Sequence, residues 1–259
     1  YKHVPLVEKN PIEGLKNNIY STINLCRVSN EFKCEKLMLI SSDKAVRPTN
    51  IMGASKRISE LILQAFAYKD RELNTSKTIF SMVRFGNVLE SSGSVVPLFR
   101  NQISKGGPIT LTHPDINRYF MTIPEAAMLV IQATAMSQGG ELFLLDMGKP
   151  IKIKKLAEKM VNLAGLTIKN DQNPEGDIEI VITGLRPGEK LYEELLIDAQ
   201  SVKTSHPLIY RAVENVIPSK EFWPFLELIK VAIRNRDLHT IEKILFKLVN
   251  GLKITRTKP

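Results

Sequence analysis

A hydroxyl, a carboxylic acid and an amine follow one another at Ser42, Asp43 and Lys44. They come directly after an apolar run at 36–41, which is typical of a buried parallel strand. Ligands of open α/β sheets bind at the carboxyl ends of such strands. A charged side chain there lowers the stability of the fold unless it is paired, and it is therefore a candidate for a functional role. The three side chains are therefore candidates for proton transfer; the alternative is that Asp43 and Lys44 are solvated loop residues.

Alternating helical and strand patterns must position this motif. Apolar residues at helical spacing predict helices, and short apolar runs predict strands, in the order helix 10–30, strand 36–41, helix 52–68, strand 79–85, helix 124–136 and strand 141–146. Parallel strands need helical crossovers of this length. We therefore expect an α/β, Rossmann-like parallel sheet over residues 1–147.

The pattern changes after Met147. A helix at 153–165, a strand at 177–183 and the turn-rich segment GLRPGEK before another helix predict a smaller substrate lobe, which with a helical tail spans 148–259. The tail holds two amphipathic helical stretches from about Ser219, and we expect them to pack on that lobe or on a partner.

Composition excludes several classes of protein. A chain of 259 residues with 43% hydrophobic content is expected to bury a core. The net charge of +9 is spread without a basic block, which argues against nucleic-acid binding. Two cysteines without metal spacing fit a reducing, cytoplasmic setting, and the four histidines form no metal motif. No apolar run is long enough to span a membrane.

Several long motifs occur in a fixed order along the chain. They are SSDKAVRPTN-x-MGASKR, RFGNVL, SGSVVPLF, THPDINRYFMTIPEA and GLRPGEKLYEELL, preceded by YKHVPLVE. In this order they resemble the polysaccharide-biosynthesis branch of UDP-N-acetylhexosamine 4,6-dehydratases, in the extended short-chain dehydrogenase/reductase family. The resemblance covers residue 1 to about residue 196.

The resemblance implies a lyase that uses NAD or NADP and a UDP-sugar. A hydride leaves sugar C4, water is eliminated across C5 and C6, and the hydride returns to C6. By motif matching, Asp43 is the acid for the C6 hydroxyl, Lys44 the base for the C5 proton, and Ser42 a partner of the C4 oxygen. Lys56 would hold the nicotinamide ribose and favour loss of a proton from Lys44.

Met52 departs from the wider family, which has tyrosine four residues before the lysine as the base for C4 oxidation. Methionine exchanges no proton, although the branch resembled also carries methionine there. One interpretation is a core methionine on an amphipathic helix. The other places Met52 in the catalytic set, with its proton role passed to Asp43, Lys44 or a water.

The resemblance also implies contacts to the nucleotide sugar. Asn87 matches an asparagine near the diphosphate, Arg118 and Arg186 match arginines that bind the nucleotide or its phosphates, and Glu189 matches a ribose contact. Each also fits a surface salt bridge. Glu90 replaces the usual glycine after RFGNVL, and its negative charge is expected to weaken phosphate binding.

A dinucleotide site of this class needs a Gly-rich turn, and no GxGxxG or GxxGxxG occurs in the sequence. We therefore expect a sheet that lacks its first strands. The cofactor residues present would be those of the nicotinamide end, Tyr1, Lys2 and Lys56, with Asn18 as a structural support. We expect the strand at 36–41 to form an apolar edge, with low stability and little activity of the chain by itself.

Three alternatives stay open. The chain is compatible with a non-catalytic nucleotide-sugar-binding or oligomerisation remnant, with a related epimerase, and with a C5-inverting dehydratase. The resemblance implies a homo-oligomer, and association with a membrane only if an anchor precedes Tyr1. The choice between NAD and NADP and the identity of the hexosamine are not readable from the sequence.

Overall fold

The computed structural model describes residues 1–73, 78–195 and 200–254. Its helices are α1 Val4–Lys9, α2 Pro11–Glu31, α3 Ile51–Leu73, α4 Val95–Ser104, α5 Ile123–Met136, α6 Ile153–Leu163, α7 Ser219–Arg234 and α8 Leu238–Leu248, with a short 3₁₀ turn at Asp43–Ala45. Its strands are β1 Lys36–Ile40, β2 Ile79–Arg84, β3 Asn87–Val88, β4 Ile109–Leu111, β5 Asn117–Arg118, β6 Phe120–Met121, β7 Leu142–Leu145, β8 Ile151–Lys152, β9 Ile168–Lys169, β10 Ile178–Ile182, β11 Ser201–Lys203 and β12 Ile209–Ala212.

The largest sheet has the strand order β1-β2-β7-β12-β11. β1, β2 and β7 run parallel, whereas β12 and β11 are antiparallel additions at one side. The helices between the parallel strands confirm the predicted α/β, Rossmann-like class. Because parallel strands end at the same edge of a sheet, the residues after β1 and those after β2 come together.

β1 pairs with β2 on one side, and no strand of the described residues pairs with its other side. All of its residues are partly exposed or exposed, including Ile40 at 53%. β1 is thus the apolar edge strand that the sequence predicts. No helix in the described part of the chain is long and apolar enough to cross a membrane.

The chain forms two compact units that are discontinuous in sequence. The first comprises residues 1–85, 127–146 and 194–259, and the second comprises 86–126 and 147–193. The sequence predicted a single boundary at residue 147. The arrangement differs because the chain leaves the sheet after β2 as well as after β7, and each time builds part of the second unit before it returns.

The first unit is held together by an apolar core between α2, α3, the sheet and the tail. α7 and α8 contribute buried residues such as Phe222, Leu226 and Leu245 to the same cluster as Ile58 and Ile62 of α3. The tail was expected to pack on the smaller lobe or on a partner, and the first of these two expectations is wrong. α7 packs against α3 and α2 instead, α8 packs against α7, and both helices add buried residues to the same apolar cluster.

The second unit has its own apolar core, which joins α4, α6 and the sheet β4-β10-β9 through residues such as Phe99, Ile109, Val161 and Ile178. The helix predicted after GLRPGEK is absent from the described residues 189–195. Arg118 donates hydrogen bonds to the carbonyl oxygens of Lys190 and Leu191. Those oxygens are thereby engaged with a side chain rather than with the N–H groups of a following helical turn.

Candidate active site

The Ser42–Lys44 motif lies where β1 ends. The Ser41 N–H donates to Val83 O at 2.8 Å and the Asp43 N–H donates to Phe85 O at 3.2 Å, so the β1–β2 pairing continues past the last strand residues. The chain then turns in the 3₁₀ segment, where Ser42 Oγ accepts from the Lys44 N–H at 3.2 Å. The predicted position at the carboxyl end of a parallel strand is confirmed.

Asp43 is 1% exposed, and its two carboxylate oxygens have different surroundings. Oδ1 accepts from Ser42 Oγ at 2.8 Å and from Lys44 Nζ at 3.0 Å. Oδ2 is buried and has no hydrogen-bond partner. Because an unsatisfied buried oxygen is costly, Oδ2 marks a place where a proton or a ligand donor would be stabilising.

The start of α3 packs directly against this turn. A Cβ on Gly53 would overlap the carbonyl oxygen of Lys44, so only glycine allows the helix to approach so closely. Asn50 Oδ1 accepts from the Gly53 N–H at 2.8 Å, and Glu8 Oε1 accepts from the Ile51 N–H at 2.6 Å. These contacts fix the first turn of α3 relative to the motif.

Met52 is 2% exposed and belongs to the apolar core of the first unit. The core interpretation of this methionine therefore agrees with its packing. One turn further on, Lys56 is only partly exposed, and burial lowers the pKa of its amine. Lys56 is thus an amine in a partly desolvated position on the same helix.

Asn18 connects the start of the chain to α3. Its Nδ2 donates to Ser55 Oγ at 2.8 Å and to Tyr1 O at 3.0 Å. These two contacts agree with the predicted structural role of Asn18. The Tyr1 and Lys2 side chains are exposed.

A buried cluster of two arginines and two glutamates lies behind the motif, and the sequence reasoning missed it. It is formed by Arg57 and Glu60 of α3, Arg84 at the end of β2, and Glu214, which follows β12. Ser41 at the end of β1 joins it by donating to Glu60 Oε1 at 2.5 Å. The cluster therefore ties the end of β1, which carries the motif, and the end of the neighbouring β2 to α3.

The charges of this cluster balance, and Arg84 and Glu60 have no exposed side-chain surface. Arg84 donates Nε to Glu60 Oε1 at 2.8 Å and an Nη to Glu60 Oε2 at 2.7 Å, which is a bidentate pair. Burial by itself would raise the pKa of Glu60, but Arg84 and Arg57, with hydrogen bonds from Arg84 and Ser41, lower it to about 2. Glu60 is therefore an anion at neutral pH.

In the second unit, Arg118 and Glu189 lie side by side, with a guanidinium nitrogen 3.6 Å from Glu189 Oε1. Arg118 is 7% exposed and donates to the carbonyl oxygens of Asn117, Leu191 and Lys190 at 2.7, 3.2 and 2.7 Å. The Arg118 guanidinium thereby fixes the backbone at Lys190 and Leu191, next to the RPGEK turn.

Glu189 and Arg186 belong to that turn. Glu189 Oε2 accepts from the Arg186 N–H at 3.1 Å, and Oε1 accepts from Thr112 Oγ1 at 3.2 Å. The Arg186 side chain is exposed. Of the two predicted phosphate-binding arginines, Arg186 therefore presents its guanidinium to solvent, whereas Arg118 is engaged with the protein.

Asn87 and Glu90 follow β2 along the chain. Asn87 is partly buried, and its N–H donates to Tyr119 O at 3.1 Å in the β3–β6 pairing. Glu90 has φ +61°, the left-handed conformation that glycine adopts without strain. Its carboxylate pairs with Arg100 of α4 at 2.6 Å, so a cation neutralises the charge that replaces the family glycine.

Comparison with known proteins agrees with the resemblance seen in the sequence. A family model described as polysaccharide biosynthesis protein matches residues 1–214. The chain is 55% identical over 196 residues to the capsular polysaccharide biosynthesis protein CapD of Staphylococcus aureus, covering 76% of this chain and 31% of CapD. It is 32% identical over 202 residues to a UDP-glucose 4-epimerase of Rickettsia rickettsii, covering 78% of this chain and 55% of that protein.

Solved structures give the same fold. The Pen protein of Bacillus thuringiensis has a TM-score of 0.72 and 34% identity, with 89% of this chain and 72% of that chain covered. DesIV of Streptomyces venezuelae, a dTDP-glucose 4,6-dehydratase with NAD and TYD bound, has a TM-score of 0.62 at 16% identity, with 75% and 62% covered, and is similar in fold alone.

The chain thus spans only about a third of the length of CapD, while the family model spans most of the chain. The motif order, the parallel sheet and the motif at the end of β1 agree with that match. The chain therefore belongs to the polysaccharide biosynthesis protein family, with the Rossmann-like fold of the extended short-chain dehydrogenases/reductases.

Proposed function

We propose that this chain carries the catalytic motif of a nucleotide-sugar 4,6-dehydratase that converts UDP-N-acetylglucosamine to a UDP-4-keto-6-deoxy sugar for surface polysaccharide synthesis. The observation that supports this most is the asymmetric carboxyl group of Asp43. One oxygen is bonded to Ser42 and Lys44, and the other is buried without a partner. A carboxyl group that receives a proton on one oxygen and is held by the other suits a general acid.

Elimination requires a protonated acid and a neutral amine. Asp43 Oδ1 and Lys44 Nζ are 3.0 Å apart, within hydrogen-bond reach. The neutral Lys44 amine is held by the Asp43 carboxylate across this contact until oxidation at C4 delivers a proton to Asp43, so that the protonated acid and the neutral base are then present together. Lys44 then removes the C5 proton, and Asp43 gives its proton to the departing C6 hydroxyl, which leaves as water.

Oxidation at C4 releases a proton that Met52 cannot accept. Ser42 Oγ donates to Asp43 Oδ1 at 2.8 Å, so a C4 hydroxyl bonded to Ser42 would pass its proton to the Asp43 carboxylate. The proton given up at C4 would then be the one donated at C6. Lys44 returns the C5 proton after the hydride reaches C6, and the protein ends the cycle unchanged.

NAD or NADP would accept the hydride from C4 and return it to C6. The residues present fit one end of such a cofactor. Lys56, a partly buried amine whose pKa is lowered by burial, is suited to bind the hydroxyls of the nicotinamide ribose. Tyr1 and Lys2, at the start of the chain, would be further contacts of the cofactor. The sequence contains no Gly-rich turn for the pyrophosphate, so we assign no residue to that part.

For the nucleotide sugar we propose Arg186 as a phosphate contact, because its guanidinium is exposed. Arg118 and Glu189 would act by fixing the RPGEK turn that carries Arg186. Asn87 is proposed beside the diphosphate on the basis of its motif. Assembly into a homo-oligomer stays a prediction.

The test measures product from UDP-N-acetylglucosamine and NAD by mass spectrometry. It uses the chain alone and a chimera in which the part of CapD that precedes the matching segment is placed before Tyr1. Loss of one water from the sugar in the chimera, abolished by Lys44→Ala and by Asp43→Asn, is the expected result. A folded chimera that binds UDP and NAD but forms no dehydrated product contradicts the proposal.

A second candidate is a 4-epimerase, which the likeness to the Rickettsia rickettsii protein favours. An epimerase would change the configuration at C4 without loss of water. The same assay separates the two, because an epimer keeps the substrate mass and is resolved by chromatography. A third outcome, UDP binding without turnover, would favour a non-catalytic binding or oligomerisation role.

A further inference from the structure

The C-terminal tail reaches the segment that follows the catalytic motif. The family match ends at residue 214, so α7, α8 and the residues after them lie outside it. Both helices bury apolar residues in the core of the first unit. After α8 the chain turns back toward Arg47 and Pro48, only three and four residues beyond Lys44.

Two contacts join the end of the tail to this loop. The Lys253 N–H donates to the carbonyl oxygen of Pro48 at 2.9 Å. Gly251 lies against the Arg47 side chain, and a Cβ on Gly251 would be 2.9 Å from Arg47 Cγ. Gly251 also has φ +71°, so its lack of a side chain serves both the turn and the close approach.

The loop itself is held in a strained conformation. Arg47 has φ +37°, which is unfavourable for a residue with a side chain. Glu194, which begins the last segment of the first unit, pairs with Arg47 Nη1 at 2.5 Å. A strained residue persists where its surroundings hold it, and here the holding groups come from the segments after residue 193.

The contact continues to the catalytic lysine. A Cβ on Gly53 would lie 3.0 Å from Pro48 Cβ on one side and would overlap the carbonyl oxygen of Lys44 on the other. Pro48, Gly53 and Lys44 are therefore packed without free space. A shift of Pro48 would therefore press on Gly53 of α3, the helix that carries Lys56, and on the Lys44 backbone packed against it.

We infer that Gly251 and Lys253 are positioning residues for the catalytic motif, and that the tail fixes the separation between Lys44 and α3. The inference rests on the proposed function for its kinetic consequence. Its structural consequence, protection of the loop at 45–53, does not depend on that function.

The test compares Gly251→Ala with Gly165→Ala. Gly165 has φ +73°, nearly the same as Gly251, but a Cβ there would meet nothing within 4 Å. The two changes impose the same backbone strain, and only the first adds a contact with Arg47. Hydrogen–deuterium exchange of the peptide covering 45–53 is measured in the purified chain, and kcat and KM are measured in the CapD chimera.

The expected result for Gly251→Ala is about tenfold faster exchange in this peptide and about a tenfold lower kcat with KM for UDP-N-acetylglucosamine unchanged. Gly165→Ala should leave both values at those of the unchanged protein. Arg47→Ala combined with Gly251→Ala should exchange no more than about twofold faster than Arg47→Ala alone, because the Cγ atom that the new methyl group meets is then absent from both proteins.

Equal exchange at 45–53 in both glycine variants would overturn the inference, as would an effect of about tenfold for Gly251→Ala that persists when it is measured against Arg47→Ala alone. If Gly251→Ala does not fold, Lys253→Pro, which removes the N–H donor to the Pro48 carbonyl oxygen, is judged by the same exchange criterion. If the unchanged chimera forms no dehydrated product, the proposed function fails, and the exchange measurements still decide the positioning role.

Discussion

Replacement of Glu60 by glutamine should destabilise the first unit strongly at neutral pH. Glu60 is fully buried and bonded to Arg57, Arg84 and Ser41. Its pKa falls from an ordinary 4.5 to about 2, which corresponds to about 3 kcal/mol of preference for the charged form at about 1.4 kcal/mol per pKa unit. Glu60→Gln keeps the shape and leaves Arg84 with Glu214 as its remaining anion.

The same shift predicts how the effect depends on pH. Because the folded-state pKa of Glu60 lies below the unfolded one, its contribution is complete above about pH 4.5 and is lost as the pH falls through about 2. Urea unfolding followed by circular dichroism should therefore show a difference of about 3 kcal/mol between the unchanged protein and Glu60→Gln at about pH 7. The difference should shrink steadily below about pH 4.5.

Glu141→Gln is the matched control. Glu141 also accepts a hydrogen bond from a buried serine, Ser81, at 2.8 Å, but its other bonds come from the backbone N–H groups of Gln138 and Gly139. We expect about 1 kcal/mol for this control. The reasoning about the cluster is refuted if Glu60→Gln costs no more than Glu141→Gln at about pH 7, or if its cost is the same at all pH values.

Three further predictions concern individual side chains. Asp43→Asn should lower turnover in the chimera at least about a hundredfold with UDP affinity unchanged, measured by steady-state kinetics and calorimetry, because the amide cannot give up the proton needed at C6. Glu90→Gly should tighten UDP binding, measured by calorimetry, because it removes a negative charge and leaves Arg100 unpaired by Glu90; weaker binding would contradict a phosphate near this loop. Since burial lowers the pKa of Lys56, its ammonium form opposes folding at neutral pH, so Lys56→Met should raise the thermal midpoint at about pH 7 and lose this advantage above about pH 10.5.

The sequence was sufficient for the parallel part of the fold. β1, β2 and β7 are short apolar runs separated by helices, and the periodicity alone indicates them. The sequence did not indicate β11 and β12. Both are short and largely or partly exposed, and because they pair in antiparallel fashion, no helix pattern between them marks their position. Their pairing depends on neighbours far away in sequence.

The sequence likewise locates one part of the candidate site and not the other. Ser42, Asp43 and Lys44 are consecutive, so one motif locates all three at the end of β1. The buried charge cluster draws its members from β1, α3, β2 and the segment after β12, and no spacing rule connects positions so far apart. One local signal was available: Arg57 and Glu60 are three residues apart, which is the spacing of neighbouring side chains on one face of a helix.

The division of the second unit into 86–126 and 147–193 has a consequence for how such chains diversify. The first segment leaves after β2 and the second after β7, which are neighbouring parallel strands. Both segments are insertions between elements of the first unit, and the residues that we propose for proton transfer belong to the first unit itself. If the second unit binds the nucleotide sugar as we propose, exchange of both insertions together between homologous genes would change the ligand preference and leave the proposed reaction chemistry in place.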